Sequence, residues 1–183
     1  MKITPTFIQG VYIIEPKVFK DSRGYFFESY RKEEFEKTIG KVDFVQDNES
    51  CSTKGVIRGL HFQKPPHCQA KLVRCILGKV LDVAVDLREG SPTYGKHIAV
   101  EISDENHLEF YIPKGFAHGF EVLSDMAIFQ YKCDEYYHPE SEGGIDLFDQ
   151  DLGIDWQTPL HKTILSEKDK KNPRFSEFET PFR

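Results

Sequence analysis

Residues 71–87 read KLVRCILGKVLDVAVDL. Two strand-length runs rich in Val, Leu and Ile are separated by Gly78-Lys79, which predicts two antiparallel strands joined by a tight hairpin. The second run is apolar almost throughout yet holds Asp82 at its centre. A carboxylate there needs a partner or a polar cavity to face. Working outward, HIAVEIS (97–103), DEN and HLEFYIP (107–113) predict a second hairpin. GFEVLS (119–124) and AIFQYKC (127–133), turning at Asp125, predict a third. Upstream, GVYIIEP (10–16) and GYFFESY (24–30) flank the turn-like KDSRG (20–24). Helical signals are few: Lys32–Ile39 stopping at Gly40, and a short SEKDKKN element with Ser166 as N-cap and Asp169 three residues on. Many short strands, tight turns and little helix predict an all-β antiparallel barrel or jelly roll with a few short peripheral helices.

The bulk composition is that of a chain able to bury a full core as one domain, 1–183, with the Pro- and charge-rich end (about 150–183) wrapping the barrel. Apolar residues make up 39%, charged residues 30% and aromatic residues 13%, which is too apolar for disorder. A net charge of −6 argues against a nucleic-acid partner, so an anionic ligand needs a local cluster of Arg and Lys. The four cysteines, Cys51, Cys68, Cys75 and Cys133, form no CxxC, which fits a reduced cytoplasmic chain rather than a disulfide frame or zinc ribbon. No run reaches membrane-spanning length.

The stretch VIRGLHFQ (56–63) sets a cation and a titratable ring into an apolar run. Arg58 and His61 are three apart, so regular alternation points them to opposite faces. A bulge at Gly59 is one way to bring them onto one face. The plainer alternative is a surface arginine and a core histidine. YIPKGFAHGF (111–120) holds a PxGxxH pattern that resembles the second motif of the cupin superfamily, whose histidine points into the barrel. Metal-binding cupins add HxH and a glutamate in the first motif. Here His61 is followed by Phe62 and Gln63, so His61 and His118 alone fall short of a metal set, and His67 sits in loop-like sequence. A cupin barrel without metal is expected. A pocket imidazole, with an ordinary pKa near ~6.5, then serves as acid or base and wants a carboxylate to orient it. Asp82 and Asp169 are the candidates. Spacing alone favours a helix cap for Asp169. Tyr131, Tyr136 and Tyr137 read as half-buried strand aromatics or as a proton donor opposite the histidine. Arg23, Arg58, Lys71 and Lys168 could together neutralise a diphosphate, although each singly reads as a surface charge.

Taken in order, DSRGYFFESY, FVQDNES, VIRGLHFQ, QAKLVRC, LDVAVDLREGSPTYG, IPKGFAHGF, YKCDEYYHPESEGGI and LSEKD resemble the dTDP-4-dehydrorhamnose 3,5-epimerase family over most of the chain. The resemblance implies a cupin-type jelly roll that works as a cytoplasmic homodimer, with no cofactor and no metal, on a nucleotide-diphosphate sugar. The implied reaction inverts C3 and C5 of dTDP-4-dehydro-6-deoxy-D-glucose, giving dTDP-4-dehydro-L-rhamnose. By the same resemblance His61 is the proton acceptor, Tyr131 the donor and Asp169 the carboxylate behind the base, which overrides the cap reading or adds to it. Arg23, Glu28, Gln46, Asp47, Asn48, Arg58, Lys71, His118, Glu142 and Lys168 match substrate-binding positions, and Tyr137 an aromatic near the substrate. The chain departs from the family after GGI, where a Trp-Asn-Asp segment is common and DLFDQDLGIDW (146–156) stands instead. The rivals are an epimerase acting at one carbon only or on a related nucleotide sugar, a 3,4-ketoisomerase, and a non-catalytic sugar-binding cupin.

Overall fold

Short period-two runs give thirteen strands and one α-helix in a computed structural model that describes residues 1–183. The elements are β1 (Lys2–Pro5), β2 (Tyr12–Glu15), β3 (Phe19–Asp21), β4 (Gly24–Phe26), α1 (Lys32–Ile39), β5 (Gln46–Thr53), β6 (Ile57–Gln63), β7 (Lys71–Leu77), β8 (Lys79–Asp86), β9 (His97–Ser103), β10 (Glu109–Ile112), β11 (Phe116–Val122), β12 (Met126–Cys133) and β13 (Glu142–Gly144). One sheet has the order β1-β2-β10-β7-β12-β5, the other β13-β6-β11-β8-β9, and every pairing in them is antiparallel. The two sheets face each other over a core that includes Val73, Phe110 and Phe129 from one side and Val80, Ile102, Phe120 and Val122 from the other. This is the cupin-type jelly roll that the strand spacing and the PxGxxH pattern predict.

None of the three expected hairpins forms. β7 and β8 lie in different sheets, as do β9 and β10, and β11 and β12. Each tight connection is an arch that carries the chain across the core. The arches bond to one another instead of closing on themselves. Gly78 N–H donates to Asp104 Oδ2 at 3.0 Å, Asp104 N–H to Gly78 O at 3.1 Å, Lys79 N–H to Ser124 Oγ at 2.8 Å and Leu123 N–H to Lys79 O at 2.9 Å. Turn chemistry specifies a reversal, not the sheet the returning strand joins. That choice comes from apolar residues on both strands facing each other across the barrel.

β8 reads as a continuous apolar run because both of its faces are buried. Val80 and Ala84 point into the barrel core, whereas Val83 and Val85 join a second cluster with Leu147, Leu152 and Phe182 from the C-terminal residues. Buried Glu121 anchors that segment too, accepting from the N–H groups of Gln157 (2.8 Å) and Thr158 (2.6 Å). On the outer face of the first sheet, α1 buries Phe35 against Ile14, Leu72 and Tyr111. Full burial of such a ring contributes roughly 1.5–3 kcal/mol. The helix occupies its expected residues, with Glu33 and Glu34 in its first turn and Gly40 N–H bonded to Glu36 O at 3.1 Å beyond its end. The KDSRG turn joins β3 to β4, which pair with each other and with no other strand. No helix is long and apolar enough to cross a membrane.

Candidate active site

A bulge brings Arg58 and His61 of VIRGLHFQ onto one face. Arg58 pairs with Phe120 and His61 with His118, so β6 spends one residue more than β11 between the two pairs. Gly59 takes φ +134°, and a Cβ there would lie 2.6 Å from Gly119 Cα and 2.8 Å from His118 O, so no side chain fits. The extra residue resets the alternation. Ile57, Leu60 and Phe62 pack in the outer cluster, while Arg58 and His61 both line one internal cavity of about 480 Å³.

Two histidine–carboxylate pairs stand side by side there, since His61 and His118 are direct cross-strand neighbours. His61 Nε2 lies 2.6 Å from Asp169 Oδ1, and His118 Nε2 lies 2.9 Å from Asp82 Oδ2. Burial raises the Asp169 carboxyl, but the His61 hydrogen bond and charge and the Ser166 hydroxyl outweigh it and leave it below the usual range. For Asp82 burial wins: its carboxyl is raised although His118 and Lys71 pull it down. Asp169 opens a 3₁₀ turn (Asp169–Lys171), and its N–H donates to Ser166 Oγ at 3.1 Å. The Ser166 hydroxyl, just ahead of the turn, thus holds the Asp169 backbone, while the Asp169 carboxylate meets the His61 ring.

Across the barrel, Tyr131 and Lys71 project from the first sheet into the same cavity. Burial raises the Tyr131 phenol and depresses the Lys71 ammonium, whose Nζ lies 5.6 Å from the Tyr131 ring centre. A second cavity of about 230 Å³ continues the space past His61, Lys71 and Tyr131 to Gln46, Asn48, Gln63, Tyr137 and Glu142. Tyr137 O–H donates to Glu142 Oε2 at 2.8 Å, and Lys168 forms an ion pair with Glu142. Arg58 Nε donates to Ser52 Oγ at 3.2 Å.

Of the site residues expected from sequence, these cavities collect His61, Tyr131, Asp169, Gln46, Asn48, Arg58, Lys71, His118, Tyr137, Glu142 and Lys168. Three lie elsewhere. Asp47 alternates to the outer face of β5, where Lys132 Nζ approaches it at 3.0 Å. Arg23, 88% exposed, forks onto Asp21 at the tip of the β3–β4 hairpin, and Glu28 faces Arg31 at 3.7 Å. Sequence reasoning did not assign Asp82 to His118, although its place in an apolar strand was the signal. It also passed over Ser50, which alternation from Gln46 and Asn48 places inward on β5, and Gln63, whose amide ties two loops together. The divergent stretch DLFDQDLGIDW lines neither cavity, and Trp156 Nε1–H closes it onto Leu147 O at 2.7 Å.

With the geometry in place, comparison with known proteins agrees on one family. A sequence profile described as dTDP-4-dehydrorhamnose 3,5-epimerase matches residues 5–177. A Shigella flexneri protein of that name is 51% identical over 176 residues, covering 96% of each chain. The crystal structure of an Elizabethkingia anophelis protein of the same name superposes with a TM-score of 0.92 at 56% identity, covering 96% of this chain and 97% of that one. A Legionella pneumophila dTDP-6-deoxy-D-glucose-3,5-epimerase, solved with dTDP-4-keto-L-rhamnose, superposes with a TM-score of 0.93 at 49% identity, covering 97% and 94%.

Proposed function

Because the chain belongs to the dTDP-4-dehydrorhamnose 3,5-epimerase family, and is thus an isomerase, we propose that it inverts C3 and C5 of dTDP-4-dehydro-6-deoxy-D-glucose, with His61 as base and Tyr131 as acid. The hydrogens beside the C4 ketone are acidic because the carbanion left behind delocalises onto the ketone oxygen. Asp169 holds Nε2 of His61, which leaves the lone pair on Nδ1 to take the proton. A phenol raised by burial stays protonated at neutral pH and returns a proton from the opposite wall. Lys71 is our candidate for neutralising the enolate oxygen, a donor of a kind whose loss typically costs roughly 10²–10³ in rate. Arg58 and Lys168 are assigned to the diphosphate. The observation that carries this reading is that His61 and Tyr131 line the same two cavities from opposite sheets.

We further propose a homodimer, on which the roles of Arg23 and Glu28 depend. Both lie off the two cavities that hold His61 and Tyr131 in their own chain, in a segment where Phe19, Tyr25 and Phe26 are exposed, so a second copy is the means by which they reach a site. The test is incubation with dTDP-4-dehydro-6-deoxy-D-glucose in heavy water, read by NMR at C3 and C5. Label and inversion at both carbons are expected. Inversion at one carbon would make the enzyme a mono-epimerase, and no label would make it a binding protein. In Tyr131→Phe, exchange should outlast net inversion at one carbon or both; inversion of both at the normal rate would remove Tyr131 from the donor role.

A further inference from the structure

We propose a second, independent site: a divalent transition-metal site of the zinc class, formed by His67, Glu135 and His138 at the rim of the cavity and taking no part in proton transfer. The three side chains are half-buried, and one ligand atom from each lies within 4.8 Å of the others. Two imidazoles and a carboxylate are a donor set that zinc, cobalt and nickel accept, with water completing the shell.

Two features set this cluster apart from a chance meeting of surface residues. One is a supporting carboxylate. His138 Nδ1 lies 3.1 Å from Glu140 Oε1, which fixes the proton on Nδ1 and leaves Nε2 as the free donor. Nε2 is the nitrogen that faces Glu135, at 3.8 Å from Oε1. A metal-bound histidine commonly has its second nitrogen held in this way. The other feature is the rigidity of the two segments. Gln63 Nε2–H donates to His67 O at 2.7 Å and to Tyr136 O at 3.0 Å, and Gln63 Oε1 accepts from His138 N–H at 2.6 Å. Gln69 Nε2–H adds a bond to Glu135 O at 2.8 Å. The backbone under all three donors is fixed before any ion arrives, so little ordering cost remains.

The rings of His67 and His138 are stacked, with centroids 3.6 Å apart and planes 9° from parallel. Their lone pairs therefore lie in parallel planes. One ring must turn about its Cβ–Cγ bond for both nitrogens to meet one ion at the roughly 2.0–2.1 Å that zinc requires. The occupied site would clamp the Lys64–Cys68 loop to the 135–140 segment. Gln63, which directly precedes the first segment, and Tyr137, within the second, both border the second cavity, so the ion would act beside the rim of the substrate space.

Tag-free chain stripped with chelator should bind one Co²⁺, with the visible bands of a low-coordinate ion, and one Zn²⁺ by calorimetry. Zn²⁺ should raise the melting temperature and slow amide exchange in residues 64–68 and 134–140. His138→Ala should abolish binding, Glu135→Gln should weaken it at least about tenfold, and Glu140→Gln should weaken it about 10–100-fold. His61→Asn should leave it intact, which separates this site from the reaction cavity. No saturable Co²⁺ binding by the wild type, binding unchanged in His138→Ala, or binding lost only in His61→Asn would each overturn the proposal.

Discussion

Two histidine–carboxylate pairs sit on neighbouring positions of β6 and β11, made of the same residue types at nearly the same distance. They differ in access and in what carries the acid. The His61 side chain is 29% exposed, whereas that of His118 is 7% exposed. Asp82 is fixed in the middle of β8, while Asp169 arrives on a short turn near the end of the chain. The more open pair has a carboxylate below its usual range, and the more deeply buried pair, sealed except where His118 borders the cavity, has one above it. The comparison teaches that a histidine–aspartate pair is not in itself a catalytic device. Exposure, and the direction in which the surroundings push the carboxyl, are the differences on which our proposal makes His61 the base and the Asp82 pair a fastening.

The largest expected effect breaks the open pair. His61→Asn should lower turnover by roughly 10²–10⁴ and abolish heavy-water exchange, with the melting temperature little changed. Retained exchange in a folded variant would move the base elsewhere. Breaking the sealed pair should do the reverse in kind. His118→Ala leaves a buried carboxylate without its partner, a loss of about 1–3 kcal/mol or more. For a chain of this length, that corresponds to a drop of roughly 3–10 °C in melting temperature. A calorimetric scan showing no drop would mean that the Asp82 pair is not structural.

The two carboxylates should also answer pH with opposite signs. Asp169 is depressed in the folded state, so it stabilises above its unfolded value of about 4 and loses that contribution as the pH falls below it. Asp169→Asn should flatten this acid loss. Asp82 is raised, so the folded chain binds more protons than the unfolded one, and stability falls as the pH rises from about 4 through the folded value. Asp82→Asn should flatten that decline. Urea midpoints followed from pH 3 to 8 would show both slopes, and slopes of the same sign would remove the distinction.

Much of this contrast was legible in the sequence, but unevenly. The strands and α1 were readable because period-two and capping signals are local. The bulge was one of two readings that Gly59 left open, because a glycine permits it while the pairing across to β11 decides it. The sheet assignment of β7 and β8 was not readable, since Gly78-Lys79 suits a hairpin and an arch equally, and packing across the barrel, with arch bonds to Asp104 and Ser124 far along the chain, decides between them. Asp82 announced itself as a carboxylate needing a partner but could not name His118, because a cross-strand neighbour is a fact of register. Asp169 was one of two carboxylate candidates, and only the family resemblance preferred it to Asp82 as the partner of His61. Its local pattern specifies a cap, and only the folded chain brings it to a histidine 108 positions away.

The smallest effect tests whether that cap belongs to the open pair. Ser166 Oγ accepts from Asp169 N–H and thereby fixes the turn from which the carboxylate reaches His61. Losing an N-cap hydroxyl typically costs about 1 kcal/mol, or roughly 2–4 °C for a chain of this length. Ser166→Ala should show that small shift and, with it, a severalfold fall in turnover at nearly unchanged KM, because the loosened carboxylate orients the base less well without touching the substrate. Ser166→Thr, which keeps the hydroxyl, should restore both. If stability falls while turnover holds, the turn is a fastening for the chain's end and Asp169 finds His61 without it. If turnover falls while the melting temperature holds, the hydroxyl acts on the Asp169 carboxyl directly, and the open pair is a three-membered relay rather than two groups and a cap.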